Sequence, residues 1–330
     1  MVNTGKMKKW SIYILGVALF FSPIIYPNIL YLDIGIHAGI YFIVAMGLTI
    51  LLGYAGQISM SQAAFFGIGA YTSGLLSSKW GMNFWIAGPL GVIFAGSIGY
   101  VVGLTSVRLR HGYLAMATIA FQIIFNTLVF EWVELTGGPA GLGGIPVPSL
   151  LGMFKIDTEI KYFYFVWVIA LVVFLFSRNL VSQRIGRVLV SLRENEMGAN
   201  SIGINVARYK LKVFTLSAIY AGIGGVLFAH YSRFVSPPSF SFHFSFTFLV
   251  MVIIGGMGNI WGAFFGSVFI TLLPELLRFL SSFPLLPLAL RNVLINYTYN
   301  LIFYGLLVYL FIVFLPKGIH GFGGTFLTKR

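Results

Sequence analysis

The chain has 330 residues, of which 58% are hydrophobic and only 9% are charged, and its mean hydropathy is +0.92. This composition excludes a water-soluble domain, because the apolar residues form long runs without ionisable groups. The net charge of +13 does not indicate nucleic-acid binding, since the basic residues lie in short segments between the apolar runs. Without cysteine, the chain has no disulfide or thiolate metal site.

The apolar runs predict an all-α, polytopic membrane protein with about ten transmembrane helices, since one crossing needs about 20 residues. A basic flank precedes the first run, which we expect to remain as a retained helix. We expect a single transmembrane domain over residues 1–330. The predicted spans are 11–27, 34–52, 63–78, 84–106, 113–133, 162–177, 213–230, 244–256, 262–280 and 294–315.

Loop charge predicts the orientation of these spans. The 178–212 segment carries seven Arg or Lys residues, and basic loops remain in the cytoplasm. With an even number of spans, the N- and C-termini are cytoplasmic as well, and 136–161 is an outer loop. Its glycines and prolines favour turns and extended structure. This loop either contacts an external partner or serves only as a connector.

Two glycine-rich stretches, 53–71 and 255–269, interrupt predicted helices. The tripeptide 56–58 (Gly-Gln-Ile) corresponds to 258–260 (Gly-Asn-Ile), and Ala-Phe-Phe-Gly follows in both, which hints at an internal duplication. Backbone freed from a helix within a bilayer needs protein, water or a ligand as partner. The breaks are therefore candidate permeation sites, and close packing through small residues is the alternative. The candidate pathway residues are Gly53, Gly56, Gln57, Ser59, Ser61, Gln62, Gly256, Gly258 and Asn259.

Amide side chains recur at every fourth position on two predicted helices. Gln122 and Asn126 share one helical face, and so do Asn296 and Asn300. Such faces are expected to point into the bundle, because amides exposed to lipid are costly. There they either form interhelical hydrogen bonds or line a pathway.

The apolar spacing between Gln183 and Ser201 predicts a short amphipathic helix in the 178–212 segment. Gly203 permits a left-handed helix end, and Asn205 is a suitable residue to start the next helix. The amphipathic helix either docks into a soluble protein or rests on anionic lipid headgroups.

Motifs for autonomous chemistry are missing from the sequence. It contains neither the P-loop pattern G-x-x-x-x-G-K-[ST] nor G-x-S-x-G. If ATP provides energy, another chain binds it. Glu275 is the one serious candidate for an intramembrane ionisable group that would support ion-coupled transport.

Four segments in order carry a family resemblance: GYAGQISMSQAAFFGIGAY, TGGPAGLGGIPVPSL, IGRVLVSLRENEMGANSIGINVARYKLKVFTLSAIYAGIGGVLFA and VIIGGMGNIWGAFFGS. From about residue 34 to 318 the chain resembles the branched-chain amino-acid permeases of bacterial ATP-binding-cassette importers, specifically the LivM-type subunit. The resemblance implies a non-enzymatic permease domain that moves leucine, isoleucine or valine across the inner membrane by alternating access.

The resemblance also implies partners. These are a second, LivH-type permease subunit, two cytoplasmic ATPase subunits that carry ATP and Mg, a periplasmic or lipid-anchored binding protein, and membrane lipid. No cofactor is expected in this chain and no nucleic acid as partner. The implied ATPase-coupling residues are Arg193, Glu194, Glu196, Ala199 and Gly203. Where the family has two adjacent alanines, this chain has Gly198 before Ala199.

Three other functions remain open from the sequence. Related permeases for urea or short amides resemble this chain closely in the same motifs. A secondary carrier or channel would work without an ATPase, with Glu275 as its ionisable group. A membrane scaffold would have no transport role.

Overall fold

A computed structural model describes residues 29–106, 111–150, 154–281 and residue 305. The predicted span 11–27 and, apart from residue 305, the predicted span 294–315 lie outside the described residues. Asn296, Asn300 and both chain termini lie outside them as well.

The described residues are mainly helical, in agreement with the predicted all-α class. The helices are α1 (Ile29–Leu48), α2 (Gln62–Ser78), α3 (Phe84–Ser106), α4 (His111–Glu131), α5 (Val133–Thr136), α6 (Glu159–Ser182), α7 (Arg184–Glu194), α8 (Glu196–Ser201), α9 (Val206–Ser232), α10 (Phe242–Gly255) and α11 (Ile260–Ser281). A π-helical turn, Thr49–Tyr54, continues α1.

Each of the eight predicted spans that fall within the described residues corresponds to one helix. In this part of the chain, six helices are long and apolar enough to cross a membrane, and the apolar part of α11, Ile260–Leu276, is shorter. Helix α2 has only 17 residues, because the seven residues before it are not helical, and most of its side chains are buried. The described structure is thus a multi-pass helical protein with six full-length candidate spans.

Helix α2 lies at the centre of the bundle against α3 and α9. Small residues permit a close approach: a Cβ added to Gly69 would lie 2.8 Å from the Cα of Gly222 in α9. Phe65 and Phe66 of α2 are fully buried in the surrounding core. The close approach fixes α2 between its neighbours and leaves its N-terminus inside the protein.

The 136–161 segment folds back onto the bundle. Strand β1 (Leu142–Gly143) pairs antiparallel with β4 (Phe234–Val235), and β2 (Ser149–Leu150) pairs antiparallel with β3 (Phe154–Lys155). Ile145 is buried, and Nδ1 of His230 lies 2.8 Å from the carbonyl oxygen of Pro146. The extended structure expected here is therefore present, and it is attached to the C-terminal end of α9.

The 178–212 segment contains two loop helices where the sequence predicts one. Helix α7 ends at Glu194 and α8 begins at Glu196, because the extended backbone of Asn195 interrupts them. The Asn195 side chain accepts a hydrogen bond from the Gly198 amide at 3.0 Å and caps α8. The prediction of a single helix was wrong. The predicted left-handed Gly203 (φ +83°) and the Asn205 cap of α9 are confirmed.

Candidate functional site

The first helix break follows the π turn at the end of α1. Gly56 has a φ of +68°, and the chain remains non-helical until α2 begins at Gln62. The polar side chains of Gln57, Ser59, Ser61 and Gln62 are all buried, at 5% exposure or less. The break is therefore a polar segment enclosed within the protein.

Side chains from other helices hydrogen-bond the backbone at this break. The amide of Ala64 donates to Gln122 Oε1 of α4 at 2.8 Å, and the amide of Ala63 donates to Ser245 Oγ of α10 at 2.8 Å. Met60 donates to Thr118 Oγ1 of α4 at 3.0 Å. The bonds from Ala63 and Ala64 supply the hydrogen-bond partners that backbone amides in the first turn of a helix lack. The polar face of α4 thus points at the break and makes interhelical hydrogen bonds.

Two amide oxygens at the break have no hydrogen-bond partner among the described residues. They are Oε1 of Gln57 and Oε1 of Gln62. The other end of the Gln62 amide is engaged, since Nε2 donates to Ser217 Oγ of α9 at 3.0 Å. A buried acceptor without a partner is costly and requires a donor from water or a ligand. These two oxygens can therefore accept a hydrogen bond from water or a ligand.

The second break separates α10 from α11. Gly256 and Gly258 have φ values of +107° and +89°, which glycine tolerates best. Asn259 Oδ1 accepts a hydrogen bond from the Trp261 amide at 3.0 Å and caps α11. Gly258 is the sequence counterpart of Gly56, and both adopt positive φ, so the matched segments share this local geometry.

The two breaks contact each other. A Cβ added to Gly53, in the π turn, would lie 2.5 Å from the backbone nitrogen of Gly258. Arg193 of α7 lies at the same point, because its Nη1 donates to the Gly53 carbonyl at 2.6 Å. The loop helices therefore touch the point where the breaks meet.

The five coupling residues implied by the family resemblance take different positions. Arg193 and Glu194 are both exposed, but the Arg193 guanidinium also reaches the first break and donates to the Gly53 carbonyl. Ala199 is buried at 3% exposure, and Gly203 forms the left-handed turn after α8. Glu196 forms an ion pair with Lys210 at 2.5 Å. Within this set, Ala199 is buried, Glu196 is half-buried, and exposed Arg193 contacts the first break.

A groove with a volume of about 590 Å³ lies between α8 and the start of α9. Glu196 and Lys210 line it, and the Lys210 side chain is 8% exposed. Met197, also in its wall, is 81% exposed, and nearby Ile202 is 74% exposed. The groove thus combines a charged pair with exposed apolar side chains.

A second cavity, of about 440 Å³, lies between α4 and the 3-10 turn Pro237–Phe240. Asn126 and Glu131 are in its wall. Asn126 Oδ1 accepts a hydrogen bond from Gln122 Nε2 at 3.4 Å, and the same Nε2 donates to the Phe240 carbonyl at 2.8 Å. A chain of polar groups therefore joins this cavity to the first break.

Sequence reasoning missed three residues that the structure places at these sites. Ser245 lies in an aromatic run and Ser217 in an apolar one, and neither spacing marked it as a site residue. Lys210 belongs to a basic stretch, and its burial against Glu196 depends on the fold of the loop.

Six apolar helices, two interrupted segments with buried polar side chains, and a folded basic loop define a multi-pass membrane protein of the permease class. The sequence matches the family described as "Branched-chain amino acid transport system / permease component" over residues 30–312. The chain belongs to this family.

Several characterised proteins are similar to the chain. The high-affinity branched-chain amino acid transport system permease protein LivM of Salmonella typhimurium is 35% identical over 279 residues, covering 78% of this chain and 66% of that protein. The probable LivM permease of Methanocaldococcus jannaschii is 25% identical over 325 residues, covering 85% of this chain and 90% of that protein. The Salmonella typhimurium LivH permease is 22% identical over 245 residues, covering 69% of this chain and 78% of that protein.

The chain therefore spans about two thirds of the length of the Salmonella LivM protein. No solved structure shows significant similarity to it.

Proposed function

We propose that this chain is the LivM-type permease subunit of an ATP-driven importer that moves leucine, isoleucine and valine across the bacterial inner membrane. The family match over residues 30–312 carries this proposal. Two helix breaks that meet beside a folded basic loop support it, because a permease needs both an interrupted segment and a surface that receives an external drive.

The proposed architecture has about ten transmembrane helices in one permease domain, with both termini in the cytoplasm. The 178–212 segment is cytoplasmic and the 136–161 segment is periplasmic. Loop charge supports this orientation. A binding protein, periplasmic or lipid-anchored, delivers substrate on the 136–161 side, where the cavity beside Asn126 is open.

The proposed pathway runs from that cavity past Gln122 to the two breaks. Gln57 and Gln62 offer unpaired amide oxygens there, which suit the ammonium group of an amino acid. Gln57 and Gln62 are buried within this chain, so the described conformation is closed around the first break. Passage requires the breaks to separate, which is the conformational step of alternating access.

The groove between α8 and α9 is the proposed docking site for an ATPase subunit. Exposed Met197 and Ile202 provide apolar contact area, and Glu196 with Lys210 provides charge. Two ATPases carry ATP and Mg, so this chain needs no cofactor. A LivH-type subunit is the proposed second permease, since a LivH protein is among the relatives.

Affinity purification in mild detergent followed by mass spectrometry tests this function. Wild-type protein is expected to bring down an ATPase and a second permease. Met197→Asp is expected to reduce the ATPase yield at least tenfold, because it places a charge among the apolar contacts. Val190→Asp, on α7 outside the groove, is the control. Wild-type protein that emerges without an ATPase from several detergents would contradict the proposal.

A further inference from the structure

We propose that Arg193 is a positioning residue that transmits movement of the loop helices to both helix breaks. This inference rests on the proposed function and assigns to one side chain the connection between the docking loop and the pathway. Arg193 is exposed in this chain, yet its guanidinium contacts the first break, so its role differs from direct contact with the ATPase.

The contacts of Arg193 reach both breaks. Nη1 donates to the Gly53 carbonyl at 2.6 Å. A Cβ at Gly56 would lie 3.1 Å from Arg193 Cγ, so the stem of the side chain lies on the first break. A Cβ at Gly258 would lie 3.5 Å from Arg193 Nη1. One side chain therefore contacts the first break at two points and faces the second.

The acceptor of this hydrogen bond is suited to an arginine. Gly53 lies in the π turn, where the usual helical pairing is altered. Guanidinium is always charged, and its hydrogen bonds to carbonyls are stronger than those of neutral donors. Glycine at positions 56 and 258 leaves room for the side chain. The arrangement holds the π turn and the loop at a fixed distance.

The loop can pass a displacement to Arg193. Leu189 and Leu192 of α7 are buried at 0% and 1% exposure, so α7 is anchored in the bundle next to Arg193. Asn195 joins the end of α7 to α8 through its cap on Gly198. Helix α8 begins at Glu196, in the wall of the docking groove. Only two residues separate the groove wall from the arginine.

The test compares Arg193→Met with Arg193→Lys in the complex purified through a tag on this chain. Uptake of labelled leucine and ATP hydrolysis are both measured on the same preparation of proteoliposomes. For Arg193→Met we expect the ATPase to remain bound, hydrolysis to stay within about twofold of wild type, and leucine moved per ATP to fall at least tenfold. Arg193→Lys retains a charged donor and is expected to recover part of the loss. Arg187→Met, an exposed arginine of the same helix, is the control.

A second readout does not depend on transport. Hydrogen exchange of the purified chain is expected to rise at least tenfold in Arg193→Met at residues 53–61 and 256–259 together. Exchange that rises only in α7, or an unchanged ratio of leucine to ATP, would overturn the inference. Loss of the ATPase from the Arg193→Met complex would also overturn it, since Arg193 would then belong to the docking surface. A wild-type complex that fails to move leucine would refute the proposed function, while the exchange measurement still decides the role of Arg193.

Discussion

Gly53 and Gly258, distant in sequence, bring the two helix breaks into backbone contact. A Cβ at Gly53 would lie 2.5 Å from the nitrogen and 3.0 Å from the Cα of Gly258. Because the breaks touch, neither can move without affecting the other. The pathway proposed here therefore has one junction, held from the loop side by Arg193.

Gly53→Ala is expected to force this junction apart. The added methyl group would meet backbone, which no change of rotamer relieves, so we expect a cost of about 1 to 3 kcal/mol, as for other overpacked sites. Thermal unfolding in detergent and leucine uptake measure the effect. Gly112→Ala is the control, since a Cβ there meets nothing within 4 Å. Equal behaviour of the two variants would contradict the close contact.

Gln122→Leu is expected to destabilise the first break. The substitution keeps a similar volume but leaves the Ala64 amide and the Phe240 carbonyl without their partner. Each buried group left unpaired costs about 1 to 3 kcal/mol. The melting temperature should fall, and amide exchange at residues 62–65 should rise. Thr127→Val, at an exposed site on the same helix, should leave the melting temperature and the amide exchange unchanged. A Gln122→Leu protein with wild-type stability would show that water replaces these bonds.

Variants of Glu196 and Lys210 distinguish a structural role of this ion pair from a role in ATPase docking. Glu196→Lys places two cations together with Lys210 largely buried, and we expect a loss of about 1 to 3 kcal/mol. The double variant Glu196→Lys with Lys210→Glu restores the ion pair and is expected to recover stability. If Glu196 also contacts the ATPase, co-purification remains low in the double variant. Full recovery of ATPase binding would show that the pair acts only within the loop.

Asn195→Ala is expected to loosen α8. The variant removes the side-chain oxygen that caps the Gly198 amide, and loss of an N-cap costs about 1 kcal/mol. Hydrogen exchange at residues 196–201 should increase several-fold, and ATPase co-purification should weaken. Asn200→Ala, exposed in the same helix, is the control for hydrogen exchange only, because Asn200 also lines the docking groove. Unchanged exchange in Asn195→Ala would mean that α8 is held by its partner or by packing of Ala199 instead.

The sequence predicted helix positions well because transmembrane helices are specified by local hydropathy. The span predicted at 84–106 is helix α3, Phe84–Ser106. The loop was harder to predict, since apolar spacing continues across Asn195 although the backbone does not stay helical. Asparagine favours cap positions, and here the extended Asn195 backbone ends α7 while its side chain caps α8.

The candidate site was predictable only in part. Glycine clusters marked both breaks, because positive φ and close approach are local requirements of the backbone. Their mutual contact, the contact of Arg193 with the first break, and the cap that Ser245 gives to α2 depend on tertiary packing. No periodicity within a single helix reports such contacts between distant segments.

ATP-dependent leucine uptake by the reconstituted complex decides whether this chain is an importer subunit. The complex purified through a tag on this chain is reconstituted in proteoliposomes with its binding protein, and labelled leucine is followed with and without ATP on the side of the ATPase. We expect accumulation that requires ATP and is inhibited by unlabelled isoleucine and valine but not by urea. Leucine flux through this chain alone without ATP, or uptake inhibited by urea and not by isoleucine, would contradict the proposed function.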